Sequence, residues 1–552
     1  MPRRLRVRSL PWGMSRVALA LALPSATLLL LLGWLLGQVL PQPVEPLPGT
    51  AAVPSTREAA TAPTTAPAEG ASRLPCVSYA PFRRPGHTPF DPDLRVSPAQ
   101  IEADLRLLAT VTGCVRTYGV SQGLEAVPAI ARRVGLRVLL GAWIGSNPLD
   151  DDRELAHAIA LAREHADVID LLLVGNEVLL RGERTPASLV ALLDRARREQ
   201  PVPVAYADVW AYWLRHAEAL RGHVDVAAVH VLPYWDDEPV AIAHAVDHVA
   251  QTLAAMRTAL APLPVFIAET GWPAAGRQRG PAAPGALAQN QLVRGLVQAR
   301  IDWGWQPGWN LIEGFDQPWK RALEGAMGGY WGVFTAAGDR RVIADGPVVP
   351  DPAAAWGLLA ALAGALSGAL VAGRLGAARL PLAIAGALIA ALAQQQIASL
   401  GLWSLGPGQT VLGALAAVPA LICALLAALQ LARAVAAAGP WLDRAHALAL
   451  ALCLLLVLQV LVDGRYRPLL WPMFGAPAVL MPALWLAGRL PPPRPDALGG
   501  SLRIALAVAL ATAALALLWQ EGLVNHQAWL AALACLGLAL PAVHGAGRQT
   551  TT

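Results

Sequence analysis

Lysine is nearly missing from this 552-residue chain: Lys320 is the only one, and arginine supplies the rest of the positive side-chain charge. Such a bias says little about function by itself. The formal net charge is only +5, and the arginines stand scattered at the ends of apolar segments instead of forming a basic stripe interleaved with aromatics, which argues against nucleic acid as a partner. Metal-ligand spacings such as C-x-x-C or H-E-x-x-H are lacking, so neither a metal nor a cofactor is expected. Charged residues are sparse, 15% against 55% hydrophobic, with a mean hydropathy of +0.45. A chain this long and this apolar is not one soluble domain, and part of it belongs in a membrane. Of five cysteines, Cys423, Cys453 and Cys535 fall in apolar helical stretches and read as packing residues. Cys76 and Cys114 each precede a valine in the more polar part. If they begin adjacent parallel strands in matching register they suit a disulfide in an oxidising compartment; two buried thiols fit the same residues.

What is present divides the chain into four. Residues 1–40 carry Arg3, Arg4, Arg6, Arg8 and Arg16 before an apolar run from Val17 to Leu40. The run exceeds the roughly 7–15 residues of a signal-peptide core and has no clear small-residue cleavage site behind it, which favours an uncleaved anchor over a cleaved signal. Residues 41–74, rich in Pro, Ala and Thr, read as a stiff, disordered tether. Residues 75–350 alternate short apolar runs with longer amphipathic ones. Strands are expected at Cys76 to Tyr79, Val115 to Tyr118, Arg137 to Ala142, Ile169 to Gly175, Val202 to Tyr206, Val224 to His230, Val265 to Glu269 and Gly308 to Glu313. Helices are expected between them, as at Pro98 to Val111 behind Ser97 and at Ala241 to Leu260. Eight such strands predict an α/β fold, a (β/α)8 TIM barrel. Residues 351–552 read as about seven further membrane spans, 354–373, 380–401, 410–432, 445–462, 469–488, 502–520 and 527–545. With the barrel outside, Arg374, Arg379, Arg433, Arg444, Arg489, Arg494, Arg503 and Arg548 face the cytoplasm, and only Arg465 and Arg467 fall in an outer loop, so the positive-inside rule predicts a multi-pass inner-membrane protein with its barrel in the periplasm.

The chemistry centres on two apolar runs that each end in a glutamate: IDLLLVGNE, ending in Asn176 and Glu177, and PVFIAETGWP, which delivers Glu269 before turning at Gly271 and Pro273. Barrel active sites lie at such strand ends. In order along the chain stand VRTYG (Val115 to Gly119), VGNE (Val174 to Glu177), VHVLPYW (Val229 to Trp235), ETGWP (Glu269 to Pro273), EGFDQPWK (Glu313 to Lys320) and YWGVF (Tyr330 to Phe334). Together these motifs, from about Cys76 to Phe334, resemble glycoside hydrolase family 17, the β-1,3-glucanases and β-1,3-glucan transglycosylases. Ala274 stands where that family has Ser, Thr or Asn, and Gln317 where an acidic residue is common.

The resemblance implies a retaining glycosidase mechanism, in which two carboxylates about 5 Å apart act as nucleophile and acid/base. Glu269 is the expected nucleophile and Glu177 the expected acid/base. Asn176 is expected to donate to a sugar 2-hydroxyl, Tyr234 to donate to the nucleophile, and Arg116 to support it electrostatically. Tyr118, Trp235, Trp272 and Trp319 would offer faces to pyranose rings, with Trp331 equally readable as packing, and Glu313, Asp316 and Lys320 would bind glucose hydroxyls or form a surface salt-bridge cluster. The implied partners are β-1,3-glucan or laminari-oligosaccharides, the lipid bilayer and a separate membrane β-glucan synthase, because the loops on the inner side are too short to hold a nucleotide-sugar domain. Gln394, Gln395 and Gln396, together with Gln459, Asp463 and Glu521 at or near span ends, read as helix-packing groups, a polymer route being the lesser alternative. Three activities remain open: glucanosyl transfer that elongates or branches β-glucan, hydrolysis by an endo-β-1,3-glucanase, and non-catalytic glucan binding.

Overall fold

Eight apolar runs become eight parallel strands in the computed structural model: β1 Cys76–Ser78, β2 Cys114–Arg116, β3 Arg137–Ala142, β4 Ile169–Asn176, β5 Val204–Val209, β6 Val226–His230, β7 Val265–Thr270 and β8 Trp309–Leu311. They pair in chain order and β8 closes on β1, giving the closed barrel that the alternation predicts. The strands are buried on both faces, as parallel strands flanked by helices must be. One face packs under the helices; the other fills the barrel with Leu139, Leu171, Leu173, Ala207 and Phe266. Cys76 and Cys114 belong to that interior cluster and are joined as a disulfide across β1 and β2, whose register sets Val77 beside Val115.

Several helices start on a capping side chain followed directly by proline. Ser97, Asn147 and Thr185 each accept a backbone N–H of the first turn, and Pro98, Pro148 and Pro186 open the helices Pro98–Leu108, Pro148–Glu164 and Pro186–Glu199. The cap satisfies an orphan donor, and proline at the first position gives up an N–H that has no helical partner.

The structure describes residues 16–45, 47, 73–299, 301, 303, 308–433, 439–462, 464, 466–469, 471–490 and 500–544. Arg3, Arg4, Arg6 and Arg8, most of the tether, and Asp463, Arg465, Arg494 and Arg548 lie outside them. The chain divides into two compact units, Pro43–Val348 and Met1–Gln42 with Val349–Thr552. The expectation that 41–74 is a stiff, disordered tether is corrected at its two described ends. Val44 is buried beside Ala286 and Val348, and Arg294 donates to its carbonyl at 2.7 Å. Leu74 is buried as well, and its N–H donates to Val111 at 2.8 Å.

In the second unit, seven helices among the described residues are long and apolar enough to cross a membrane: Ala18–Val39, Pro352–Arg374, Arg379–Trp403, Pro407–Leu431, Gly439–Val462, Ser501–Glu521 and His526–Val543. The expected span 469–488 is instead the 16-residue helix Trp471–Leu486, with Pro477 and Pro482 inside it. At 1.5 Å per residue it is about 24 Å long, shorter than a bilayer core of about 30 Å. Arg489, just beyond its end, donates to the Leu431 carbonyl, so it finishes level with the end of the helix Pro407–Leu431. The N–H of Asp351 donates to the Gln38 carbonyl at 2.9 Å, which brings the start of Pro352–Arg374 to the end of the N-terminal helix.

Candidate active site

The C-terminal ends of the barrel strands carry the polar residues that interrupt otherwise apolar runs. β4 leaves the barrel through a sharp turn. Gly175 has φ 85° and Glu177 φ 55°, the latter in the left-handed region that side-chain-bearing residues seldom occupy. Such a conformation costs on the order of 1–3 kcal/mol and persists where its surroundings enforce it; here the Glu177 N–H donates to the Ala207 carbonyl at 2.8 Å.

Glu269 lies near the end of β7, 4% exposed. From β2, Arg116 donates to Glu269 Oε1 and to the Ala268 carbonyl, both at 2.8 Å, and its other terminal nitrogen donates to Asn176 Oδ1 at 2.6 Å. The Tyr118 hydroxyl donates to the same Glu269 oxygen at 2.8 Å and sits 3.1 Å from the Ser78 hydroxyl, while Asn310 donates to Ser78 and to the Ala268 carbonyl at 2.8 Å. Tyr118 fits because β3 carries a glycine beside it: a Cβ on Gly141 would lie 2.4 Å from the Thr117 carbonyl oxygen. Among the described residues every hydrogen bond to this carboxylate falls on Oε1, and none reaches Oε2. Burial opposes ionisation of Glu269, but His230, Arg116, Lys320 and the Tyr118 hydroxyl outweigh it and hold the carboxyl below its ordinary value. Burial and then the charge on Glu269 push the Tyr118 phenol well above its ordinary value, so it remains a donor.

His230 ends β6, paired in register with Glu269. Its Nδ1 lies 2.8 Å from Glu177 Oε1 and its Nε2 3.7 Å from Glu269 Oε1. One oxygen or nitrogen from each of Glu177, His230 and Glu269 lies within 4.8 Å of the others, a set of the kind that can ligate a cation. The Glu177–His230 contact and the donors on Glu269 already engage it.

Three expected roles are corrected. Tyr234 does not reach Glu269: it is fully buried and its hydroxyl donates to the Arg277 carbonyl. Tyr118 takes that place instead. Trp272 offers no face to a sugar, because it is fully buried, packs edge-on against Tyr234 at 5.8 Å and donates its indole N–H to Ala283 at 3.0 Å; Trp331 is buried in the same cluster, 5.9 Å from Tyr234. Asp316 is spent on structure, held bidentately by Arg341 at 2.6 Å and by the Gly332 N–H at 3.0 Å.

Trp235, Trp319, Tyr118, Asn176 and Lys320 keep part of their surface open. Lys320 donates to Glu313 Oε2 at 2.5 Å. Burial raises Glu313 to about 7 against the pull of Lys320. Sequence reasoning passed over Ser78, Asn310 and His230. The signal for each was a polar residue in a short apolar strand, CVS, WNL and VAAVH.

Residues 76–332 match the sequence profile of the BtgE/BtgC glycoside hydrolase domain. A probable beta-glucosidase btgE of Aspergillus fumigatus is 25% identical over 228 residues, 40% of this chain and 39% of that one. The chain thus spans about two fifths of the length of the btgE relatives it matches. A glucan 1,3-beta-glucosidase of Candida albicans is 26% identical over 255 residues, 42% of this chain and 82% of its own. Among solved structures, a glycoside hydrolase family 17 beta-1,3-glucanosyltransferase from Rhizomucor miehei is similar at a TM-score of 0.43 and 24% identity, covering 50% of this chain and 99% of that one.

Proposed function

We propose that the barrel, a glycoside hydrolase domain resembling family 17, is a retaining β-1,3-glucan-active enzyme and that it works chiefly as a glucanosyltransferase elongating or branching β-glucan. The observation that carries the mechanism is the carboxylate pair. Oxygens of Glu177 and Glu269 lie within 4.8 Å, which supports the retaining separation of about 5–5.5 Å over the inverting one of about 6.5–9.5 Å. In this reading Glu269 Oε2 attacks the anomeric carbon while Arg116 and Tyr118 hold Oε1, and Glu177 protonates the departing glycosidic oxygen. Glu177 then takes the proton of the acceptor hydroxyl that displaces Glu269. Because Arg116 occupies Asn176 Oδ1, the amide NH2 is left to donate to the 2-hydroxyl. The open faces of Trp235 and Trp319 stack on pyranose rings, and Lys320 with Glu313 borders the same cleft.

The similarity to the Candida glucan 1,3-beta-glucosidase supports β-1,3-glucan as substrate. Seven helices able to cross a bilayer, with Arg374, Arg379, Arg433, Arg444, Arg489 and Arg503 on one side if Trp471–Leu486 also passes through, support an inner-membrane protein whose barrel faces the periplasm. The Cys76–Cys114 disulfide favours the same oxidising side. Anchoring at that membrane suits a polymer emerging there, made by a separate synthase, better than foraging on external glucan, which favours transfer over hydrolysis. Incubating the full-length protein in detergent with reduced linear β-1,3-gluco-oligosaccharides tests this. Products longer than the donor are expected; only shorter ones would make it an endo-β-1,3-glucanase, and no turnover of any β-glucan would leave a glucan-binding scaffold.

A further inference from the structure

The imidazole of His230 bridges the two carboxylates from below. It is 1% exposed, so it lies under the cleft and not in it. Its Nδ1 meets Glu177 Oε1 at 2.8 Å, whereas Nε2 has no hydrogen-bond partner among the described residues and faces Glu269 Oε1 at 3.7 Å. A ring nitrogen turned toward an ionised carboxylate is favoured as N–H and disfavoured as a lone pair. The Nδ1 contact engages Glu177 Oε1 from below and leaves Oε2 of that side chain, 26% exposed, to carry the acid/base proton. Glu177 also sits in a left-handed turn, where side-chain placement depends on such an anchor.

We infer that His230 is a positioning residue that, by engaging Oε1 from below, orients the Glu177 carboxyl so that Oε2 serves as the acid/base oxygen beside Glu269. The inference rests on the retaining reading proposed above. The proton on Glu177 passes to the glycosidic oxygen as the bond from that oxygen to the anomeric carbon breaks and Glu269 Oε2 forms its ester. In the second step the acceptor's hydroxyl proton returns to Glu177 as the acceptor oxygen displaces Glu269. The ring exchanges no proton in either step, and its function is to fix the orientation of the Glu177 carboxyl.

This separates from a merely structural role by its dependence on the leaving group. A natural glucan leaves as an alkoxide that must be protonated, whereas 2,4-dinitrophenolate leaves without help. His230→Phe fills the ring's volume and removes both nitrogens, and His230→Asn keeps a polar atom near the Nδ1 position. Measured on full-length protein in detergent, with folding checked by thermal unfolding, kcat/KM of His230→Phe for laminarihexaose should fall by about 10²-fold, at the lower end of what acid/base catalysis contributes. For 2,4-dinitrophenyl β-laminaribioside it should fall less than about threefold, and His230→Asn should recover much of the loss on the glucan. If the Phe variant does not fold, His230→Gln, which reaches toward the Nε2 position and leaves Glu177 without its partner, should show the same selective loss. Equal losses on both substrates in a folded variant, or no loss on either, would overturn the inference. A wild-type protein inert toward both substrates would instead remove the retaining reading itself.

Discussion

Replacing Tyr118 with phenylalanine should move the acid limb of the pH profile upward. The hydroxyl donates to Glu269 Oε1 at 2.8 Å in a buried setting, and it is one of four groups holding that carboxyl below its ordinary value against the opposing effect of burial. In the proposed mechanism Glu269 must be ionised to attack, so turnover should fall as pH drops through its titration. Removing a donor weakens the charged form and makes ionisation require a higher pH. A hydrogen bond to a charged group contributes about 1.5–3 kcal/mol. At about 1.36 kcal/mol per pH unit this corresponds to about 1–2 units. Arg116 remains on the same oxygen at 2.8 Å, so the shift should lie near the lower figure. The assay is kcat/KM for laminarihexaose from about pH 3 to 8, with products separated by chromatography. An acid limb that stays in place while the whole profile drops would refute the reasoning, because Tyr118 would then serve packing and not the charge on Glu269.

The disulfide, the Asp316 pair and the carboxyl of Glu313 give further tests. Cys76 and Cys114 are separated by 38 positions, so the Cys76→Ser/Cys114→Ser double variant should lose about 3–4 kcal/mol by loop closure, read as a fall of roughly 6–16 °C in the barrel's thermal midpoint; an unchanged midpoint would contradict it. Asp316→Asn should destabilise the protein by about 1.5–3 kcal/mol, because it weakens the charge-assisted hydrogen bonds from the half-buried Arg341. The surviving folded fraction should keep the KM for laminari-oligosaccharides within about twofold, and a large rise in KM would restore Asp316 to the substrate. Glu313→Gln should flatten any inflection of the activity profile near pH 7, where burial places that carboxyl; an inflection that survives would belong to another group.

Periodicity exposed the barrel because parallel strands covered by helices must be apolar throughout, and eight such runs are visible whatever their exact ends. The ends were less legible. β1, β2 and β8 have three residues each, and hydropathy alone does not mark where a ladder stops and an apolar loop continues. Glu177 and Glu269 stood out as charges closing long apolar runs. His230 did not, since a lone histidine in VHVLPYW carries no sign of what lies across the barrel; β7 is its neighbour, but β5 separates β6 from β4, and the curvature of the barrel brings His230 onto Glu177. Tyr234 and Trp272 were misplaced for the converse reason. A motif fixes which residues are near the site, and packing decides which of them meet it, here turning both rings into a buried aromatic cluster. In the apolar helical unit, composition marked the span 469–488, but the length of its helix depended on backbone geometry around Pro477 and Pro482.

The central claim is that Glu269 forms a covalent bond to the sugar. Incubating the full-length protein in detergent with 2,4-dinitrophenyl 2-deoxy-2-fluoro-β-laminaribioside tests it, because the fluorine slows both steps and the leaving group restores the first. Peptide mass spectrometry after proteolysis should find one fluoroglycosyl group per chain, on the peptide that contains Glu269. A label on Glu177 or another carboxylate, or no label on a protein that turns over laminari-oligosaccharides, would contradict the account.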